Sequence, residues 1–245
     1  MIRIVLVIVL ASLIVVPSGT TMASAVSRKH SETSERSPGD PADPAKVFSG
    51  GAHTCVQDVG RRVKCWGANG AGQLGLGWGT DDQLVPVEVP SLGTDVAKLA
   101  PAVDHACALM ISGAVECWGS NTYGEIGNGS TITQYSPYEI AALGHSVQDI
   151  TTGGTHTCVL TVNGGVKCWG QNNLGQLGDG TQTDRLTPVD VAGLTSNVRS
   201  ISAGWSTTCA VMTTGSVRCW GFNGHGEIGD GTRINRTRPV DVIGL

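Results

Sequence analysis

The side chains best suited to chemistry recur in register along this chain. Cys55, Cys107, Cys158 and Cys209 stand 52, 51 and 51 residues apart. Each is followed ten residues later by a second cysteine, Cys65, Cys117, Cys168 or Cys219, that opens a Cys-Trp-Gly tripeptide. His53, His105 and His156 precede the first cysteine of their copies by two residues, whereas the fourth copy has Thr207 there. Histidine with cysteine admits zinc binding, a thiol nucleophile, or neither if the sulfurs are oxidised to each other. Structural zinc wants four converging ligands, usually from tight loops with two to four residues between cysteines. Spacing of ten, with the histidine missing from one copy, argues against a metal site in every repeat. A nucleophile wants a neighbouring base and a group that orients it. No Gly-Ser elbow, phosphate-binding loop or paired-carboxylate pattern accompanies these residues. Asp179-Gly180-Thr181 and Asp230-Gly231-Thr232 offer oxygens, but Leu76 and Asn128 fill the equivalent positions and calcium wants six or more oxygen ligands. The expectation is a chain with no catalytic residue, no metal and no cofactor, whose cysteines are structural.

The elements around the cysteines say how they pair. In the third copy the interval from Cys158 to Cys168 is centred on Asn163-Gly164, and Asn-Gly between β-branched residues is a strong hairpin signal. Residues 157–162 and 166–169 are therefore predicted to be antiparallel strands, with Gly60, Gly113 and Gly215 at or beside the turn in the other copies. Cysteines equidistant from a turn lie across the ladder, within reach of a disulfide. Each copy is thus expected to carry its own bridge: Cys55 with Cys65, Cys107 with Cys117, Cys158 with Cys168, Cys209 with Cys219. A Gly-rich segment follows each Cys-Trp-Gly, too dense in glycine for a helix. Short Pro-containing strands at 86–89, 137–140, 188–191 and 239–242 come next, then apolar strands such as 147–150 and 198–201. Four short strands at a period near 50 residues make one blade of a propeller. The predicted fold is all-β, a β-propeller of four-stranded blades with four repeats visible at about 46–96, 97–148, 149–199 and 200–245, forming a partial ring, an open arc or part of a longer propeller.

Ahead of the repeats, Arg3, an apolar run at residues 4–16 and Ala23-Ser24-Ala25 have the layout of a secretory signal over residues 1–25. That run is 13 residues long, short of the roughly 20 that span a bilayer, so no membrane association is expected once the signal is removed. Residues 26–45 are rich in Ser, Pro and charge without apolar periodicity and are expected to be a disordered linker. Export to an oxidising compartment fits the even cysteine count. The protein is therefore expected outside the cell or in its envelope. With 16 Lys and Arg against 20 Asp and Glu, the net charge of -4 lacks the basic surface that a phosphate backbone demands, which excludes nucleic acid as a partner.

The run Gly-Gly-Thr-His-Thr-Cys-Val-Leu at 153–160, Val166 to Gly170 with Trp169, Asn172-Asn173-Leu174-Gly175-Gln176-Leu177-Gly178, Asp179-Gly180-Thr181 and Pro188-Val189 resembles the regulator of chromosome condensation repeat family, including its alpha-tubulin-suppressor-like bacterial members. The resemblance covers about residues 47–245, closely in copies one, three and four and more loosely in copy two. It implies a propeller of four-stranded blades, usually about seven, and its cysteines depart from the general family pattern. By name the family also implies guanine nucleotide exchange on a nuclear GTPase, an activity at odds with an export signal and disulfides.

What remains is binding. Trp78 and Trp205 replace small or polar residues of the other copies, and with Tyr123 they are the aromatic residues expected to meet a partner. The leading expectation is a secreted, disulfide-stapled scaffold that binds a protein through loops on one face of its blades. A cell-wall or glycan-binding module that uses the same aromatic side chains is the alternative.

Overall fold

The computed structural model describes residues 46–245; the expected signal segment and linker lie outside the described residues. The described chain folds as four antiparallel sheets of four strands each. Blade 1 holds β1 (Lys46–Ser49), β2 (His53–Gln57), β3 (Val63–Gly67) and β4 (Gln83–Glu88). Blade 2 holds β5 (Val96–Pro101), β6 (His105–Met110), β7 (Val115–Gly119) and β8 (Gln134–Glu139). Blade 3 holds β9 (Val147–Thr152), β10 (His156–Thr161), β11 (Val166–Gly170) and β12 (Arg185–Asp190). Blade 4 holds β13 (Val198–Ala203), β14 (Thr207–Met212), β15 (Val217–Gly221) and β16 (Arg236–Asp241). Strands neighbour one another in chain order within every sheet. The first strands β1, β5, β9 and β13 touch in succession, so they line the inner side and β4, β8, β12 and β16 the outer side. Among the described residues the ring is open, with blades 1 and 4 apart.

Register fixes the sulfurs. Cys158 faces Cys168 across β10 and β11, and the same pairing recurs in the other three blades. All four pairs are disulfides with Cα atoms 4.1 Å apart. Because side chains alternate along a strand, the cysteine and the adjoining tryptophan of each Cys-Trp-Gly point to opposite faces of their sheet. The cysteines pack toward the following blade and the tryptophans toward the preceding one. Cys158 and Cys168 share a cluster with Leu177, Val191, Ile201, Ala210 and Trp220. Cys107 and Cys117 do the same with Ile150, Val159 and Trp169. The core is therefore three seams between blades.

Two local features differ from expectation. The outer strands begin about three residues before the Pro-Val pairs, and Val89, Ile140 and Val191 fall just past their ends, buried in the seams. Proline is tolerated there because an outer strand has one unpaired side. In blade 1 the left-handed turn position that Gly113, Gly164 and Gly215 fill belongs to Arg61 (φ 65°), not Gly60. The Asp58 carboxylate accepts the Gly60 and Arg62 amides at 2.8 and 3.0 Å and holds the turn closed.

Replacing both Cys158 and Cys168 with alanine is expected to cost about 2–3 kcal/mol, mostly by freeing the unfolded chain. For a protein of this size that lowers Tm by about 4–10 °C. Calorimetry of the pair variant checks it, and a loss beyond that range would assign the sulfurs a larger packing role.

Candidate binding face and blade seams

The histidines that precede the cysteines are seam residues. His105 Nε2 lies 3.0 Å from Thr157 Oγ1 in the next blade, and His156 Nε2 lies 2.9 Å from Thr208 Oγ1. Each threonine in turn donates to a backbone carbonyl of the blade before it: Thr157 to Glu125 O and Thr208 to Gln176 O, both at 3.0 Å. The same carbonyls accept the tryptophan indoles, Trp169 Nε1 at 2.7 Å and Trp220 Nε1 at 2.9 Å, and Gln73 O accepts Trp118 Nε1 at 2.9 Å. Burial lowers the His105 pKa to about 3, helped by His156 and His53, and that of His156 to about 4. Both imidazoles are neutral at pH 7. His53 is also pushed down by burial, against the attraction of Asp104.

Blade 2 breaks the pattern. Ala106 stands where Thr157 and Thr208 stand in blades 3 and 4, and both ring nitrogens of buried His53 lack a partner. Ala106→Thr is expected to supply a hydroxyl to His53 and a donor to Gln73 O, a gain of about 1 kcal/mol. A raised denaturation midpoint at unchanged denaturant slope checks this; a lowered one would mean that the seam lacks room for the side chain.

The Asp-Gly-Thr turns are satisfied within themselves. Asp179 Oδ1 accepts the Thr181 amide and hydroxyl at 2.9 and 2.7 Å, and its Oδ2 accepts Arg185 Nε at 2.8 Å. Asp230 repeats the arrangement with Thr232 and Arg236. No group of three or more His, Cys, Asp or Glu converges among the described residues in a way that would hold a metal. No helix there is long and apolar enough to cross a membrane.

The three singled-out aromatics share one end of the sheets. In a sheet whose strands run alternately up and down, the loop after the first strand and the loop after the third emerge together. Trp205 sits in the first kind of loop in blade 4, Trp78 and Tyr123 in the second kind in blades 1 and 2. Trp78 is 80% exposed, Trp205 73% and Tyr123 37%. Trp78 meets Tyr135 edge to face at 4.6 Å. The Trp205 carbonyl accepts the Gly154 amide at 2.9 Å, which fixes its loop against blade 3. Beside Trp205 a cavity of about 630 Å³ opens on blade 4, lined by Leu174, Thr207, Cys209, Phe222 and Glu227 among others. Sequence reasoning passed over Phe222 and Leu174. Phe222 had a signal, since Ala68, Ser120 and Gln171 occupy its position in the other copies.

Comparison with known proteins agrees with this geometry. Residues 62–109, 112–160 and 163–211 match the description "Regulator of chromosome condensation (RCC1) repeat", and 147–176 and 198–227 match a second description of the same repeat. Each of the first three spans joins the outer half of one blade to the inner half of the next. The ultraviolet-B receptor UVR8 of Arabidopsis thaliana is 30% identical over 200 residues, 80% of this chain and 45% of the receptor. Human probable E3 ubiquitin-protein ligase HERC3 is 37% identical over 203 residues, which are 81% of this chain and 19% of that one. Among solved structures, human WBSCR16 superposes with a TM-score of 0.73 at 26% identity, covering 81% of this chain and 52% of that one. Yeast RCC1 (Prp20), solved bound to Kap60, gives 0.71 at 23% identity, over 82% of this chain and 49% of that one, a likeness of fold. The chain spans about half or less of the length of these proteins. With in-phase repeats over most of its described length, the chain belongs to the regulator of chromosome condensation (RCC1) repeat family.

Proposed function

We propose that this protein is an exported, disulfide-stapled propeller scaffold that binds a protein partner through one loop face and performs no reaction of its own. In this reading residues 1–25 are a removable signal, 26–45 a tether, and 46–245 the binding body. The observation that carries it is that Trp78, Tyr123 and Trp205 all stand at the same end of the sheets, two of them largely exposed. Large exposed aromatics have the character of interface anchors. The groups that could react are engaged elsewhere: sulfurs in disulfides, His105 and His156 in seams, Asp179 and Asp230 in turns. Four disulfides fit an oxidising compartment.

Affinity capture from culture supernatant and cell envelope, with the wild type and a Trp78→Ala/Trp205→Ala pair variant, tests the proposal. A protein held by the wild type and weakened at least about 10-fold in the variant is expected, since each such anchor is worth more than about 1 kcal/mol. Equal capture by both would overturn the assignment to this face. A glycan array run with the same two proteins distinguishes a sugar ligand, which would bind to the wild type alone. N-terminal sequencing of the mature protein checks the signal, with a start after Ala25 expected.

A further inference from the structure

Charge divides the two ends of the blades. In blades 1, 2 and 3 the end that carries Trp78 and Tyr123 is built from residues 50–52, 68–82, 102–104, 120–133, 153–155 and 171–184. Those segments hold Asp81, Asp82, Asp104, Glu125, Asp179 and Asp184, and no lysine, arginine or histidine. The opposite end of the same blades, residues 58–62, 89–95, 111–114, 140–146, 162–165 and 191–197, sets Arg61, Arg62 and His145 against Asp58 and Asp95. Of the six carboxylates, Asp179 alone makes an ion pair among the described residues, with Arg185 at 2.7 Å. Hydrogen bonds from backbone amides hold three others in place without neutralising them. Asp82 Oδ1 accepts the Asn69 amide and Asp184 Oδ1 the Asn172 amide, both at 2.7 Å, and Glu125 Oε2 accepts the Tyr123 amide at 2.8 Å.

Rings and carboxylates sit together at two joints, each complete within the described residues. Where blade 1 meets blade 2, exposed Trp78 shares its loop with exposed Asp81 and Asp82, and Tyr135 of blade 2 props the indole edge to face. Where blade 2 meets blade 3, the loop of Tyr123 packs on Leu186 through Gly124, with Glu125 beneath and Asp104 and Asp184 exposed nearby. Burial raises the Glu125 pKa, and Asp184 and Asp104 raise it further, so the three carboxylates share one field. They are not gathered as metal ligands. Negative charge spread beside open aromatic faces suits lysine and arginine, whose cations are drawn both to the π-face and to the surrounding carboxylates. A neutral sugar would leave the carboxylates unused, and an acidic partner would be repelled.

We infer that the protein partner docks a basic segment on this end of blades 1–3, its lysine or arginine side chains lying over Trp78 and Tyr123 with their charges against Asp81, Asp82, Asp104 and Asp184. The inference rests on the protein-binding reading above and adds the chemistry of the partner. Arginine fits best, because its planar guanidinium stacks on an aromatic face and still presents donors to a carboxylate at its edge. The two joints belong to successive blades, so a segment with basic residues at intervals can engage both. The aromatic faces supply contact that survives salt, and the carboxylates supply selectivity and speed of encounter that salt screens.

Fluorescence anisotropy with labelled octa-arginine and octa-glutamate peptides, on the chain produced with its disulfides formed, tests the inference. Octa-arginine is expected to bind and octa-glutamate not. Asp81→Asn/Asp104→Asn should weaken octa-arginine at least about 5-fold at physiological salt. Asp95→Asn/Glu139→Gln makes the same change of net charge at exposed positions on the other end of the blades, and should weaken it less than about 2-fold. Trp78→Ala should cost about 3- to 30-fold, a loss that persists when salt is raised. Absence of octa-arginine binding, equal losses in the two charge variants, or full affinity in Trp78→Ala would each overturn the inference. The capture experiment separates it from the reading it rests on. A captured protein that Trp78→Ala/Trp205→Ala loses but Asp81→Asn/Asp104→Asn holds at full strength would overturn the basic segment and leave the binding face standing. Equal capture by wild type and the tryptophan variant would overturn both.

Discussion

Taking the protein from pH 6.5 to pH 4.5 is expected to remove about 5 kcal/mol of folding free energy through two side chains. His105 and His156 have folded-state pKa values lowered from 6.5 to about 3 and about 4, chiefly because burial penalises the imidazolium. A base whose pKa falls on folding stabilises the native state fully above its unfolded value. That stability drains as the pH drops, because the unfolded chain takes up the proton first. The window therefore runs from about 6.5 down to the folded values, at about 1.4 kcal/mol per pH unit for each histidine. Glu125 works with the opposite sign: burial raises its carboxyl pKa, so native protonation returns some stability near the bottom of the window. Asp230, lowered to about 2, loses its contribution only at more acid pH. Domains are commonly stable by 5–15 kcal/mol, so the loss is enough to bring acid unfolding above pH 4. Denaturant titrations at pH 7, 6, 5 and 4.5 would read the slope directly. His105→Gln should remove about half of it, and an unchanged slope in a His105→Gln/His156→Gln variant would sink the explanation.

These histidines also mark where the sequence stopped being legible. Their placement in the blade and the pairing of the cysteines follow from local rules: Asn163-Gly164 sets the turn, the turn sets the register, and the register puts Cys158 opposite Cys168. What His105 touches is another matter. Its partner Thr157 lies 52 residues away, on a strand whose facing side depends on how two sheets stack, and no local pattern encodes that. The orphaned nitrogens of His53 were therefore invisible, although Ala106 is the one non-threonine at its repeat position. Arg61 escaped for a different reason. Gly60 next to it looked like the flexible turn residue, while two hydrogen bonds from backbone amides to Asp58 hold the chain in a register one residue later. Trp78 and Trp205 stood out as departures from the repeat and are exposed, but the cavity beside Trp205 required Phe222 and Leu174 to be brought together by folding.

If the seams are the core, one residue type should have two very different costs according to its seam. Trp169 is 0% exposed, its indole donates to Glu125 O at 2.7 Å, and its ring covers the glycine surface at Gly127. Trp169→Ala is expected to cost about 3–5 kcal/mol, from lost burial together with the cavity left between blades 2 and 3. Trp169→Phe keeps most of the apolar ring but strands the Glu125 carbonyl on one side, so about 1–2 kcal/mol should go. Trp66 has the same sequence context but is half-buried, with no blade against its seam face among the described residues. Trp66→Ala should therefore cost less than about 1 kcal/mol, a normal value for a surface change. Chemical denaturation of the three variants separates the contributions. Equal losses for Trp66→Ala and Trp169→Ala would mean that tryptophan stabilises each blade from within, and that the blades are not held by one another. A large loss at Trp169 beside a small one at Trp66 would place the binding energy of the fold between the sheets, where the disulfides of one blade meet the indole of the next.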